Sequence, residues 1–143
     1  MPTPVSETLS VVSAILCEDV REEVSNKHTL VGVITGDILV GVFPGNIRVA
    51  AYIELAATKV GVHRFNLRFS YAGKNPLEME GQINVLAPGL SAVALQMFTF
   101  KAIEAGTLTI SVSTIEGSWI ELIAREVRIG SATNSIPATS PAA

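Results

Sequence analysis

Residues Val62–Val85, VHRFNLRFSYAGKNPLEMEGQINV, spell out a β-hairpin. Phe65, Leu67, Phe69 and Tyr71 alternate with Arg64, Asn66, Arg68 and Ser70, the period of two of a strand with one buried face. Gly73-Lys74-Asn75-Pro76 breaks the pattern. Leu77, Met79, Gly81, Ile83 and Val85 then alternate with Glu78, Glu80, Gln82 and Asn84. Folding the segment about Lys74 sets Arg68 opposite Glu80, Asn66 opposite Gln82 and Arg64 opposite Asn84 on the wet face. The dry face then pairs Phe69 with Met79 and Phe65 with Ile83. Cross-strand pairs contribute about 0.2–1 kcal/mol each, and both faces agree on one register. The stretch therefore specifies an antiparallel sheet that is dry on one side.

Further strand-length segments with Gly and Pro punctuation lie on either side. Upstream, Ile47–Ala56 puts Ile47, Val49, Ala51, Ile53 and Leu55 on one side and Arg48, Tyr52 and Glu54 on the other. Val11–Cys17 is apolar on both parities, as suits a central strand covered on both faces. Glu18–Glu23 reads as a charged connector with room for one helical turn. Thr29–Thr35 is the second strand, its Gly32 marking a bulge or a close backbone approach. Ile38–Val42 follows between the turns Gly36-Asp37 and Phe43-Pro44-Gly45-Asn46.

Downstream, Ala92–Phe100 is a strand of undecided parity, because Val93/Leu95/Met97 and Ala94/Phe98/Phe100 suit the inside equally. The final hairpin turns at Ile115-Glu116-Gly117, whose glycine supplies the left-handed residue of a three-residue loop. It pairs Val112 with Ile120, Ile110 with Leu122, Leu108 with Ala124, Ser113 with Trp119 and Ser111 with Glu121. About eight short strands without a helical pattern indicate an all-β antiparallel β-sandwich. The cadence from Phe98 to Val112 resembles that of immunoglobulin-like sandwiches, although the Cys…Trp…Cys signature of antibody domains is absent.

A chain of 143 residues fits one domain. The boundaries read as a flexible lead-in over residues 1–8, a single sandwich domain over 9–130 and a low-complexity tail over 131–143. Hydrophobic residues make up 48% and charged residues 16%, so the chain is apolar and sparsely charged. A net charge of -3 with scattered basic residues argues against nucleic acid as a partner. Leu9–Cys17 is too short to cross a bilayer and ends at Glu18-Asp19, so no membrane partner is expected and the location reads as cytoplasmic. The single cysteine, Cys17, supplies neither a disulfide framework nor a thiolate cluster and reads as a small core residue.

The templates for catalysis fail on residue supply. His28 and His63 are the two histidines, and no Gly-x-Ser-x-Gly is present, so a Ser-His-acid site lacks its parts. His63 reads as a residue bordering the core and His28 as a turn exit. The acidic group Glu18, Asp19, Glu22 and Glu23 lacks the rhythm of a calcium loop and contains Arg21. Glu78 and Glu80 share a strand face, but Arg68 is placed to neutralise Glu80, which opposes a glycosidase pair. Trp119, beside a tight turn, reads as a lid on the end of the core. Tyr52, outward on its strand, and Trp119 are the two residues with the character of a ligand or partner contact. No catalytic residue, cofactor or metal is expected.

The phrase Cys17-Glu18-Asp19-Val20-Arg21 … Lys27-x-x-Leu30-x-Gly32 resembles the start of a family of short, uncharacterised bacterial all-β proteins. The resemblance extends from about Leu9 to Ile129 and implies no activity, because that family is one of unknown function. The residues favour a non-enzymatic β-sandwich that binds a protein partner or assembles with itself. The alternative is a small-ligand or carbohydrate module using the end loops and the exposed aromatics.

Overall fold

The computed structural model describes residues 2–25 and 27–130 of the chain. The described chain is all-β with several sheets, one curled into a half-barrel. It has eleven strands rather than about eight. The first sheet runs in the order β1 (Thr3–Pro4), β2 (Leu9–Cys17), β6 (Gly45–Ala57) and β9 (Gly89–Ala102). The second runs β5 (Ile38–Val40), β11 (Trp119–Ile129), β10 (Gly106–Ser113), β7 (Gly61–Tyr71) and β8 (Lys74–Val85). A separate two-stranded sheet joins β3 (Asp19–Glu23) to β4 (Lys27–Val31). The pairing is antiparallel except that β5 joins β11 in parallel. No helix among the described residues is long and apolar enough to cross a membrane.

The inner faces of the two large sheets share one core. Ile53 and Leu55 of β6 cluster with Phe65 and Leu67 of β7, and Val49 with Phe69, Leu108 and Ile110. Burying each large side chain contributes about 1.5–3 kcal/mol. The expected alternation of β6 is present, with Ile47, Val49, Ala51, Ile53 and Leu55 all buried. Residues 3–5 join this body. Thr3 pairs with Val11, and Val5 is 5% exposed. The tail over 131–143 lies outside the described residues.

The register of the central hairpin differs from the expected one by two residues. Arg68 faces Glu78, Asn66 faces Glu80, Arg64 faces Gln82, Leu67 faces Met79 and Phe65 faces Gly81. The turn is tighter than expected and sits at Ala72-Gly73, with φ of 56° and 69°, as a two-residue primed turn requires. Such a turn alone pairs Tyr71 with Lys74, odd with even. A register shift between Phe69 and Tyr71 restores odd-with-odd pairing, so each strand keeps its apolar face inward.

Similar shifts correct the other expectations. In the last hairpin Ser113–Trp119, Val112–Ile120 and Ser111–Glu121 pair as expected. A bulge then sets Ile110 opposite Ile123 and Leu108 opposite Arg125 instead of Leu122 and Ala124. In β2 a shift between Val11 and Ser13 moves the inward parity, so that Val11 and Leu16 are both buried while Val12 is 39% exposed.

Glu18–Glu23 is not a helical turn. Asp19–Glu23 pairs with Lys27–Val31, and this hairpin covers part of the outer face of the first sheet, where Val20 packs with Cys17 and Ala50. β4 ends at Val31, short of the expected Thr35, because Gly32 takes φ 66° beneath Glu18, whose Oε1 lies 2.6 Å from the place a Cβ would occupy.

Candidate functional site

Tyr52 lies on the outer face of β6, between Ile15 of β2 and Ala94 of β9. The β3–β4 hairpin half-covers it, and the His28 ring sits 5.2 Å from its own, tilted by 58°. His28 is therefore a strand residue opposite Glu22, rather than a turn exit. Tyr52, His28, Glu54, Asn84 and Ser91 border a shallow cavity of about 360 Å³. Ser13 Oγ donates to Glu54 Oε1 at 3.5 Å, which ties the carboxylate to β2.

Trp119 lies on the outer face of the other sheet. It pairs with Ser113, next to the inward Val112, and its ring carries the Arg68 guanidinium at 4.0 Å from the centroid. Trp119 therefore covers an arginine rather than the end of the core. Arg68 Nη2 also reaches Glu78 Oε2 at 3.1 Å, so its ionic partner is Glu78 and not the expected Glu80. The two sheets meet through their inner faces, so their outer faces point in opposite directions. Tyr52 and Trp119 are thus not brought together.

Cys17 is fully buried, with Sγ 3.3 Å from the Asp19 carbonyl oxygen and 3.7 Å from that of Ala50. Burial pushes its thiol above the ordinary range, and the Asp19 charge adds to the effect. His63 Nε2–H donates to the Lys59 carbonyl oxygen at 2.8 Å. Among the described residues no three His, Cys, Asp or Glu side chains converge on a common point.

The arrangement that sequence reasoning missed is a sheet edge. β9 runs for 14 residues at the end of the first sheet, and its outward N–H and C=O groups have no backbone partner among the described residues. From Gly89 to Phe100 it contains no charge and no proline. Its one irregularity is a shift opposite Ala50, which turns Val93 and Leu95 inward before it and Phe98 and Phe100 inward after it. Both parities considered from the sequence are therefore used, one on each side of the bulge.

The other edges are guarded in the ways sheets commonly are. β8 carries Lys74, Pro76, Glu78 and Glu80; β1 has two residues including Pro4; β5 has three. The hairpin edges are five residues long and bear Asp19, Arg21, Glu22 and Glu23 on β3 and Lys27 on β4. The signal in the sequence was the uncharged run itself. Only the strand order shows that it ends a sheet.

Residues 12–129 match a family of unknown function (DUF6941), and the chain belongs to that family. No curated protein matches it.

Proposed function

We propose that this family member is a non-enzymatic, cytoplasmic protein-interaction module with an immunoglobulin-like sandwich architecture, which takes up an extended polypeptide as an added strand along β9. The observation that carries the reading is the contrast between β9 and the other edges. An open edge offers a ladder of main-chain donors and acceptors, and the alternating side chains on either face supply selectivity. The uncharged run Gly89–Phe100 fits an apolar, uncharged strand. The resemblance to short bacterial proteins agrees with such a module and supplies no catalytic residues.

Amide hydrogen exchange tests this on the intact chain. The probe is a synthetic peptide copying residues 89–100, made soluble by terminal lysines. Added to dilute protein, it slows exchange of the outward amides of β9 and leaves those of β8 unchanged. No protection, or protection confined to another edge, overturns the reading.

A second reading, a small-ligand or carbohydrate module, is favoured by the cavity beside Tyr52, where an aromatic face lies among His28, Glu54, Asn84 and Ser91. A thermal-shift screen of mono- and disaccharides, with Tyr52→Ala as control, tests it. A stabilisation that the substitution abolishes supports this reading, and an unchanged melting temperature across the screen rejects it.

A further inference from the structure

We propose that the strand taken up by β9 is the β9 of a second copy of this chain, giving a closed two-fold dimer. This deepens the strand-addition reading and rests on it. Two observations select a second copy. The first is that one edge alone is both long and unguarded among the described residues. A molecule with two such edges would add copies without end; a molecule with one closes after a single pairing, because the same edge is consumed on both partners. The resulting sheet takes four strands from each copy and ends at both sides at β2, whose outer edge β1 covers at Ser10 and Val11 and the Ile34 N–H meets at the Leu16 carbonyl, so that the stretch left between them is only the four residues Val12–Ile15.

The second observation is charge. Antiparallel self-pairing sets every residue of the segment against another of the same segment, so any charge in it would face like charge nearby. The stretch that pairs with itself about the two-fold axis, Gly89–Leu95, has none, and the uncharged run continues to Phe100. Guarding by lysine or glutamate, as on β8, is what a monomer would be expected to carry here.

Geometry places the two-fold axis. Between Gly89 and Leu95 the pairing with β6 is unbroken, and the bulge begins after Leu95. The middle of this regular stretch is Ala92, so the axis sets Ala92 against its own copy and Leu90 against the second copy's Ala94. Residues of one face must oppose residues of the same face for the sheet to continue, and this register keeps them so.

The start of β9 adds apolar area to the ladder. Leu90 is 67% exposed and Leu86 87% exposed, while Val60 adjoins the Gly61–Val85 pair at the same end of the sheets. The register carries Leu86 alongside the second copy's exposed Met97 and Leu90 alongside its Ala94. A ladder of this length alone buries less than the roughly 1,200 Å² of a stable interface, and these side chains extend it.

Light scattering on the intact chain from nanomolar to millimolar concentration reads the association. A transition from one to two copies is expected, with a plateau at two. Ala92→Lys and Ala92→Glu place like charges across the axis, so each variant alone dissociates at concentrations at least about tenfold higher than the parent. An equimolar mixture of the two variants restores the dimer as a Lys–Glu heterodimer. Circular dichroism and melting temperature confirm that each variant is folded.

A chain that stays single up to millimolar overturns the second-copy proposal. If the strand peptide still protects β9 in that case, the strand-addition reading survives; without that protection both fall. Growth beyond two copies, or a dimer unaffected by charge at position 92, also overturns the proposal.

Discussion

Phe65 on β7 lies directly across from Gly81 on β8, and its ring fills the space where a side chain at position 81 would begin. A Cβ built on Gly81 would come within 2.5 Å of Phe65 Cζ. Phe65 itself is 4% exposed, so the ring has little room to retreat. The glycine is thus the counterpart of a large aromatic in a cross-strand pair, and the ring covers a backbone that would otherwise weaken the strand.

Gly81→Ala is expected to destabilise the protein by about 1–3 kcal/mol through overpacking, and Gly81→Val by more. Phe65→Ala is expected to cost about 3–5 kcal/mol. The double variant Phe65→Ala/Gly81→Ala should cost less than the two single changes together, because the space left by the ring accepts the new methyl group. Urea unfolding of the four proteins measures the cycle. Strict additivity would contradict the observed pairing.

Arg68 stands between a ring and a carboxylate, and the two contacts should respond differently to salt. The Arg68–Glu78 pair is partly exposed, with side chains 33% and 55% accessible, so it is expected to contribute at most about 1 kcal/mol and to fade as salt rises. The Arg68–Trp119 contact is expected to contribute about 0.5–1 kcal/mol and to persist. Double-mutant cycles with Arg68→Ala, Glu78→Gln and Trp119→Leu at low and high salt separate the two. A Trp119 coupling that vanishes with salt would reject this assignment.

Ala72 adopts φ 56° in the turn between β7 and β8, a conformation that costs a residue with a Cβ about 1 kcal/mol or more. Ala72→Gly should therefore raise stability by about 0.5–1 kcal/mol, less the entropy glycine adds to the unfolded chain. A lower melting temperature in this variant would show that the Ala72 methyl group, which lies against Gly106, matters more for packing than for strain.

Stability should fall on the alkaline side. Burial raises the folded-state pKa of Cys17, and burial with the charges of Glu104 and Glu126 raises that of Tyr71. In both cases the folded protein holds its proton where the unfolded chain has released it. The associated stability is complete below the unfolded values, about 8.5 for cysteine and 10 for tyrosine, and is lost as pH rises through the folded ones. Urea midpoints from neutral to alkaline pH measure the slope. Cys17→Ala should flatten it first, between the two ordinary values, and an unchanged slope in that variant would reject the thiol's part. Folded Cys17 should also resist iodoacetamide until the protein unfolds.

Much of this molecule could be read locally. Phe65, Leu67 and Phe69 face inward, Arg64, Asn66 and Arg68 face outward, and the last hairpin holds its expected register from Ser113–Trp119 to Ser111–Glu121. These follow from alternation and turn chemistry, which involve neighbours in the chain. Tyr52 was legible as an outward residue for the same reason. Its proximity to His28 was not, because Asp19–Glu23 looked like a connector until it was seen to pair with Lys27–Val31.

The sequence by itself determined that the chain is all-β and, for the cleanly alternating strands β6 and β7, which side chains belong inside, since a strand's period of two is written in its own residues. The tertiary structure decided the pairings, through register shifts in the β2–β6, β6–β9, β7–β8 and β10–β11 ladders. Each shift allows a strand to change parity where its partner across the ladder and the facing sheet demand it, as β9 does between Leu95 and Phe98. The tertiary structure alone also decided that the uncharged run Gly89–Phe100 ends a sheet. A strand acquires an edge from the order in which strands distant in the chain assemble, and no local pattern contains that order.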